Sequence, residues 1–328
     1  MNAPVNDDRD LWAVDEILLR VAWFYYKDEL TQEEIAKRLS ISRASVGRML
    51  ERARKRGLVT IQLNTAHLSS MALSSSLRSV FGLSDVLVIP DLKDGATSLR
   101  ALNARVGLGG AQLLTTYLSS GTNLGIGFGE TVSQVVSATN FNSIGQVHLV
   151  TLTGGVAGYL HPVMSSRADV NDEEPITASV IPSPIVTSTP ELARALRAEP
   201  TIESVLKRAR AVDIAVVGVG TPATDATIVQ SGYLNADDVR MLHDRPVVGD
   251  ILGQYFDAEG EVVDLPIHGR RIGLELSELK LIPKVIGVAG GVHKTEAILA
   301  ALRGNYLDVL VTDEIVAIKL LKLVELET

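Results

Sequence analysis

Two groups of residues in this 328-residue chain have types and spacings that could do chemistry. The first lies in "LTQEEIAKRLSISRASVGRMLERARKRG" (30–57). From Thr31 to Leu63 there are eight Lys/Arg against three acids, a balance of +5 in a chain of net charge −8, so the remainder carries −13. A basic face on a small module attached to an acidic body suits contact with a polyanion. The second group is a set of Gly-rich turns behind apolar runs: "GIGFGET" (125–131), "TLTGG" (151–155), "GVGTP" (218–222) and "VAGGVHKT" (288–295). Glycine there lets backbone N–H groups and helix N-termini approach an anion. Lys294, behind a Gly-Gly turn at a helix start, adds a positive charge suited to phosphate or carboxylate. Asp250 in "VVGDILG" (247–253) could accept hydrogen bonds from sugar hydroxyls or serve as a turn acid. Glu130 in "GFGET" divides in the same way between a pocket group and a first-turn helix acid.

The basic group needs helices to hold it. Thr31 followed by Glu34 is a capping box, so a helix begins near Gln32 with Ile35 and Leu39 on one face. Ser40-Ile41-Ser42 leaves room only for a turn, after which Ser42 caps a second helix carrying Val46, Met49, Leu50 and Ala53 at helical spacing. Two short helices across a tight turn, the second one basic, form the helix-turn-helix pattern. Upstream, Val14–Glu29 supplies a supporting helix through Ile17, Leu18, Val21 and Ala22. Downstream, Gly57 ends the recognition helix and "LVTIQL" (58–63) reads as a β wing. In this winged arrangement Arg43, Ala44, Ser45 and Arg48 reach base edges, with Ser42 at the same helix end. Gln32 approaches a phosphate or a base, and Arg52, Arg54, Lys55 and Arg56 contact phosphates. Gly47 inside that helix costs about 1 kcal/mol against Ala, which close approach to DNA or tight packing would explain.

The module fills residues 1–64, and the length implies a second domain over 65–328. Residues 64–83 have helical spacing through Leu68, Leu73, Leu77 and Val80. Short β-branched runs then alternate with amphipathic stretches. Strands are expected at 85–90, 123–128, 147–152, 213–220, 284–291 and 307–312, with helices from about Ser98 to Ser119, from Glu130, near 190–210 and to about Leu323. Such alternation builds an α/β domain with a parallel sheet covered on both faces. The absence of cysteine removes disulfides and thiolate chemistry, and the six histidines have no metal-like spacing, so neither a metal nor a cofactor is expected. The sequence contains no apolar run of membrane-spanning length, and "MNAPVNDDRD" lacks the features of a signal peptide, so a cytoplasmic protein without a membrane partner is expected.

The ordered motifs "VAWFYYKDELTQEEIAKRLSISR", "LGIGFGE", "LVTLTGGV", "DIAVVGVG", "SGYL", "VVGDILGQYFDAEGEVV", "IGVAGGVHKTEAI" and "LVTDE" resemble the SorC/DeoR-type bacterial transcriptional regulators over nearly the whole chain. The nearest subgroup is the Lsr-type repressors of autoinducer-2 uptake and processing. The resemblance implies a winged helix-turn-helix followed by a sugar-binding domain related to sugar-phosphate isomerases. It implies a homo-oligomer, dimer or tetramer, that binds double-stranded operator DNA and releases it when a small phosphorylated sugar-like inducer binds. DNA contacts would include Gln32, Arg43 and Arg48 with Tyr25 or Tyr26 nearby. The inducer pocket would include Gly127, Phe128, Gly129, Glu130, Thr151, Thr153, Gly154, Gly155, Gly220, Asp250 and Lys294. Gly47 stands where relatives commonly have a hydroxylated residue, and the segment 161–184 is long and acidic for the family. The alternatives are a regulator answering to an unphosphorylated polyol, or an isomerase- or deaminase-like enzyme, which would need a general base in the pocket.

Overall fold

The computed structural model describes residues 7–59, 65–91, 98–155, 176–224 and 226–326, with the backbone alone for 7–14 and 65–68. The chain divides into two compact units, Met1–Asn64 and Thr65–Thr328.

In the first unit three helices form: α1 (Asp7–Tyr26), α2 (Gln32–Leu39) and α3 (Arg43–Lys55). At the start of α2, Thr31 Oγ1 accepts the Glu34 N–H while Glu34 accepts the Thr31 N–H at 2.8 Å, so two orphan donors are satisfied reciprocally. Ser40 ends α2 in the left-handed region at φ +56°, and Ser42 caps α3 by accepting the Ser45 N–H at 3.1 Å. Leu18, Val21 and Ala22 of α1 bury against Ile35 and Ala36 of α2 and Val46, Leu50 and Ala53 of α3. This core takes up the apolar stripe of each helix and leaves the opposite face of α3 to its arginines. Of the expected wing, Leu58 and Val59 form a bend, and 60–64 lie outside the described residues.

The second unit opens with α4 (Thr65–Phe81) and then alternates: β1 (Asp85–Ile89), α5 (Leu99–Tyr117), β2 (Asn123–Ile126), α6 (Glu130–Ala138), β3 (Val147–Thr151) and β4 (Ile176–Ser179). Helices α7 (Pro190–Arg197) and α8 (Pro200–Ala209) lead to β5 (Ile214–Val217). After α9 (Thr227–Gln230) and α10 (Ala236–His243) comes a hairpin, β6 (Gly249–Ile251) and β7 (Gln254–Phe256). The chain finishes with α11 (Leu276–Leu279), β8 (Val285–Val288), α12 (Thr295–Arg303), β9 (Val309–Asp313) and α13 (Glu314–Glu325). Seven strands form one parallel sheet in the order β1-β9-β8-β5-β2-β3-β4. Strands β5, β8 and β9 are buried at every residue because apolar layers cover both faces, which is why they read as unbroken β-branched runs. From β2 the chain moves outward to β3 and β4, whereas from β5 it moves the other way to β8 and β9. The sheet therefore has its switch point between β2 and β5, where a crevice opens beyond the strand ends. Among the described residues no helix is long and apolar enough to cross a membrane.

Candidate DNA-binding face and ligand cavity

In the first unit Arg43, Ala44, Arg48 and Arg52 lie exposed on α3, with Ser45 partly covered between them. Ser42 Oγ and Ser45 Oγ bond to each other at 2.9 Å, and Arg48 Nη2 donates to Ser45 Oγ at 3.3 Å. Ser42 is thus engaged as the cap that starts the helix, while Arg48 lies across Ser45 on the outward face. Gln32 and Arg43 line one shallow cleft with Tyr25, and Tyr26 is exposed with its ring edge-on to Tyr25 at 5.0 Å. Besides Arg48, four of the eight cations have partners among the described residues of the module. Lys37 pairs with Glu33, Lys55 with Glu51 and Arg56 with Asp15, and Arg38 lies 4.4 Å from the Phe24 ring. Arg56 thus ties α3 to α1, while Lys55 and Glu51 form an exposed pair within α3. Gly47 has no internal packing reason: a Cβ there would meet only Gln32 Oε1, at an ordinary 3.7 Å.

In the second unit a cavity of about 340 Å³ opens over the C-terminal ends of β2, β5 and β8. Phe128, Gly129, Glu130, Gly220, Asp250 and Lys294 all line it, so residues far apart in sequence meet there. Gly129 takes φ +138° at the N-cap of α6 and offers no side chain, leaving the first turn of α6 facing the cavity. The α12 N-terminus likewise has no side-chain cap at Lys294. Glu130 Oε2 accepts from Asn103 Nδ2 at 3.0 Å, which fixes this acid on the wall.

Asp250 is set by the backbone on both sides. Its N–H and C=O exchange hydrogen bonds with Gly220 at 3.2 and 2.9 Å, and its Oδ2 accepts the Gly253 N–H at 3.0 Å. A Cβ at Gly220 would lie 2.1 Å from Asp250 Oδ1, so glycine there is a condition for the carboxylate's position. The hairpin turn has Leu252 at φ +56° and Gly253 at φ +73°, the two positive values of a type I′ turn. Burial raises the Asp250 carboxyl to about 6, against the opposing pull of the Gly253 N–H and of the Lys294 and Arg271 charges. Arg271 stands fully buried behind the hairpin. Its Nη1 donates to Leu274 O at 2.9 Å and Leu252 O at 3.3 Å, and its Nη2 lies 2.8 Å from Glu275 Oε2. On the far side of the hairpin, the Tyr255 N–H donates to His268 Nε2 at 3.0 Å, and burial lowers His268 to about 4.

The remaining expected pocket residues lie elsewhere. Thr151 and Thr153 are fully buried, and their hydroxyls bond the Ile181 N–H and the Ile272 carbonyl, both at 2.8 Å. Gly154 packs so tightly that a Cβ would meet Pro184 O at 2.3 Å, and Gly155 donates to Ser183 O at 2.9 Å. The 151–155 loop is thus corrected from cavity wall to a seam with 181–184 and 272–273, because β3 lies on the outer side of β2, away from β5 and β8. Gly127 extends the sheet by donating to Val216 O at 2.9 Å and does not line the cavity. Sequence reading missed Arg100 and Asn103 of α5 and Thr227, and held Thr131 and Thr221 only as members of the quoted turns; all five line the cavity. The available signal was Ser98, whose side chain caps α5 after a strand and so places Arg100 in a helix's first turn. Most of 161–184 lies outside the described residues. Among the described residues no cluster of His, Asp and Glu could hold a metal.

Comparison with known proteins agrees with both units. Residues 66–322 match the family model described as "Putative sugar-binding domain", and residues 20–67 match the one described as "MarR family". The chain is 40% identical over 307 residues to the transcriptional regulator LsrR of Enterobacter sp. (strain 638), covering 92% of each. It is 40% identical over 314 residues to LsrR of Escherichia coli (strain K12), covering 94% of this chain and 95% of that one. The crystal structure of the full-length sorbitol operon regulator SorC from Klebsiella pneumoniae superposes with a TM-score of 0.69 at 27% identity, over 97% of this chain and 100% of that one.

Proposed function

The chain belongs to the SorC-type family of transcriptional regulators with a sugar-binding domain, and from that premise we propose that it represses an operon until a phosphorylated sugar-like inducer fills its cavity. The observation that carries this reading is the meeting of Lys294, Arg100 and two helix N-termini with the fixed Asp250 carboxylate in one cavity. Cationic side chains and helix N-termini suit a phosphate, because both present N–H donors and positive charge to an anion without desolvating a second anion. Asp250, acceptor-only when ionised, suits the hydroxyls of a sugar, with Glu130 a second acceptor on the same wall and Phe128 an apolar surface for the carbon skeleton. Small threonine hydroxyls at 131, 221 and 227 complete a polar lining of the size a pentose phosphate needs. The reading makes the ligand an effector that is bound and released unchanged, with no cofactor.

In the first unit Arg43, Ala44, Ser45 and Arg48 are assigned to base edges, with Ser42 fixing the helix end that carries them. Gln32 and Tyr26 flank them, and Arg52 and Arg54 meet phosphates. One small module gives little specific affinity, so the regulator acts as a homo-oligomer on repeated half-sites, in the cytoplasm where the DNA lies. Occupancy of the cavity then shifts the population away from the DNA-competent arrangement, for which a coupling of about 1–3 kcal/mol per site suffices.

The test is a calorimetric titration of the full chain with phosphorylated autoinducer-2, ribose 5-phosphate, sorbitol 6-phosphate and the unphosphorylated parents. One phosphorylated compound should bind, its parent should not, Lys294→Ala should abolish binding, and the compound should be recovered unchanged. Equal binding of a free polyol would move the reading to an unphosphorylated inducer. Conversion of the compound would move it to an enzyme.

A further inference from the structure

The cavity and the DNA-binding unit belong to different compact units, so the function proposed above needs a route between them, and one buried carboxylate joins the cavity to another element of the second unit. Asp313 ends β9 and is only 4% exposed. Its Oδ1 accepts the Val316 N–H at 3.0 Å and so caps α13. Its Oδ2 accepts the Gly291 N–H at 2.6 Å. Gly291, at φ +98°, opens the short 3-10 turn Val292–Lys294 that brings His293 and Lys294 to the cavity. A single side chain therefore ties the cation-bearing turn of the cavity to the first turn of α13. The fit is close, since a Cβ at Gly290 would lie 3.0 Å from Asp313 Oδ2.

Helix α13 in turn packs along α4. Val316, Ala317 and Leu320 share a core layer with Leu77, against which Leu73 and Phe81 of α4 also pack. α4 is the first element of the second unit, beginning at the residue after Asn64, where the DNA-binding unit ends. Two hydroxyls lie buried beneath α4. Ser70 Oγ on α4 and Thr312 Oγ1 on β9 are buried and have no hydrogen-bond partner among the described residues. Leu310 belongs to the layer under α4 and α13 whereas Val309 and Val311 belong to the opposite one, so strand alternation puts Thr312 on the α4 side.

We propose that Asp313 is the positioning residue through which cavity occupancy reaches the DNA-binding unit: displacement of the Gly291 turn moves α13, and α13 moves α4. The relay rests on the regulator reading above, and its test separates the two. Wild-type full chain first selects a duplex from randomised DNA, and anisotropy then measures the affinity of that duplex for four proteins: wild type, Gly291→Ala, Asp313→Ser and the double variant. Alanine at Gly291 strains the turn through its positive φ and a Cβ 2.8 Å from His293 Cε1, so it displaces the turn without any ligand. Serine at 313 still caps α13 but has no second oxygen for Gly291.

Gly291→Ala should weaken duplex binding about fivefold or more. Asp313→Ser should stay within about twofold of wild type, and in its background Gly291→Ala should have no further effect within the same margin. A double variant as weak as Gly291→Ala alone, or a Gly291→Ala protein that binds like wild type, overturns the relay and leaves the regulator reading standing. A wild-type protein that selects no duplex overturns the regulator reading and the relay with it. If Gly291→Ala is unfolded by thermal scan, Lys294→Glu, which sets a like charge towards Asp250, replaces it in the cycle with the same expected outcomes.

Discussion

Gly220→Ala tests whether Asp250 is held where a ligand would need it. The added Cβ would start 2.1 Å from Asp250 Oδ1 and 3.0 Å from its Cγ, against an optimum near 3.5 Å, so one partner must give by about 1 Å or more. The backbones cannot simply part, because Gly220 and Asp250 exchange two hydrogen bonds at 2.9 and 3.2 Å. The carboxylate therefore rotates away and surrenders the Gly253 N–H, now at 3.0 Å. Overpacking of this kind costs about 1–3 kcal/mol of stability, so thermal unfolding should fall by a few degrees. The larger effect is on the ligand. Hydrogen bonds from sugar hydroxyls to a charged acceptor contribute about 1.5–3 kcal/mol each, so losing one should weaken binding of the phosphorylated sugar by about 10- to 150-fold. Calorimetry gives the affinity, and anisotropy without ligand should show unchanged DNA binding. A Gly220→Ala protein that binds the sugar as wild type does would refute the assignment of Asp250 as its acceptor.

Ligand affinity should also depend on pH through Asp250. Its carboxyl titrates near 6, so it is a charged acceptor above that pH, and affinity should fall as pH drops from 7 to 5. A sugar phosphate titrates in the same range, and the Asp250→Asn protein, weaker throughout, should retain only that part of the dependence in a calorimetric series. Stability should respond to His268 with its own sign. Because the folded imidazole titrates near 4 and the free one at 6.5, stability is lost as pH falls between those values, by up to about 3 kcal/mol. Urea melts of His268→Gln should show a shallower acid slope, best seen in an Asp250→Asn background, since a raised carboxyl contributes in the opposite direction. Gly47→Ala should stabilise the first unit by about 1 kcal/mol, because a methyl fits there. If close approach to DNA is what keeps the glycine, the same variant should bind operator more weakly in a gel shift, and unchanged binding would show the glycine to be merely tolerated.

The parts of this molecule that sequence displayed most clearly are those fixed by local chemistry. Thr31 with Glu34, and Ser42 before its arginines, mark their helices because caps act within four residues. Six of the seven strands of the sheet were visible as apolar runs, since both of its faces are covered, whereas the edge strand β4, "ITAS" at 176–179, has no such run and was not expected. What could not be read was which strand ends are neighbours. "TLTGG" and "VAGGVHKT" look alike as Gly-rich turns, yet β8 flanks β5 at the switch point while β3 lies on the outer side of β2. Only the second reaches the cavity. Arg100 went unnoticed because a cation early in a helix reads as a surface residue until the strand order brings that helix end over the sheet. Asp250 drew attention as a lone acid, but the hairpin holding it turns at Leu252-Gly253, and Leu in the left-handed region carries no turn signature. The bond of Arg56 to Asp15 could not be read either, because the two residues lie forty-one positions apart.

The central claim is that the DNA-binding face and the cavity are two ends of one switch. The most direct measurement is anisotropy of a labelled operator duplex, selected by the protein itself, with the phosphorylated sugar titrated in against wild type and Lys294→Ala. The account predicts tight binding by both proteins without sugar, release of the duplex from wild type, and no release from Lys294→Ala. Release of both proteins by the same sugar concentration, or retention of DNA by a wild-type chain saturated with the sugar, would contradict it.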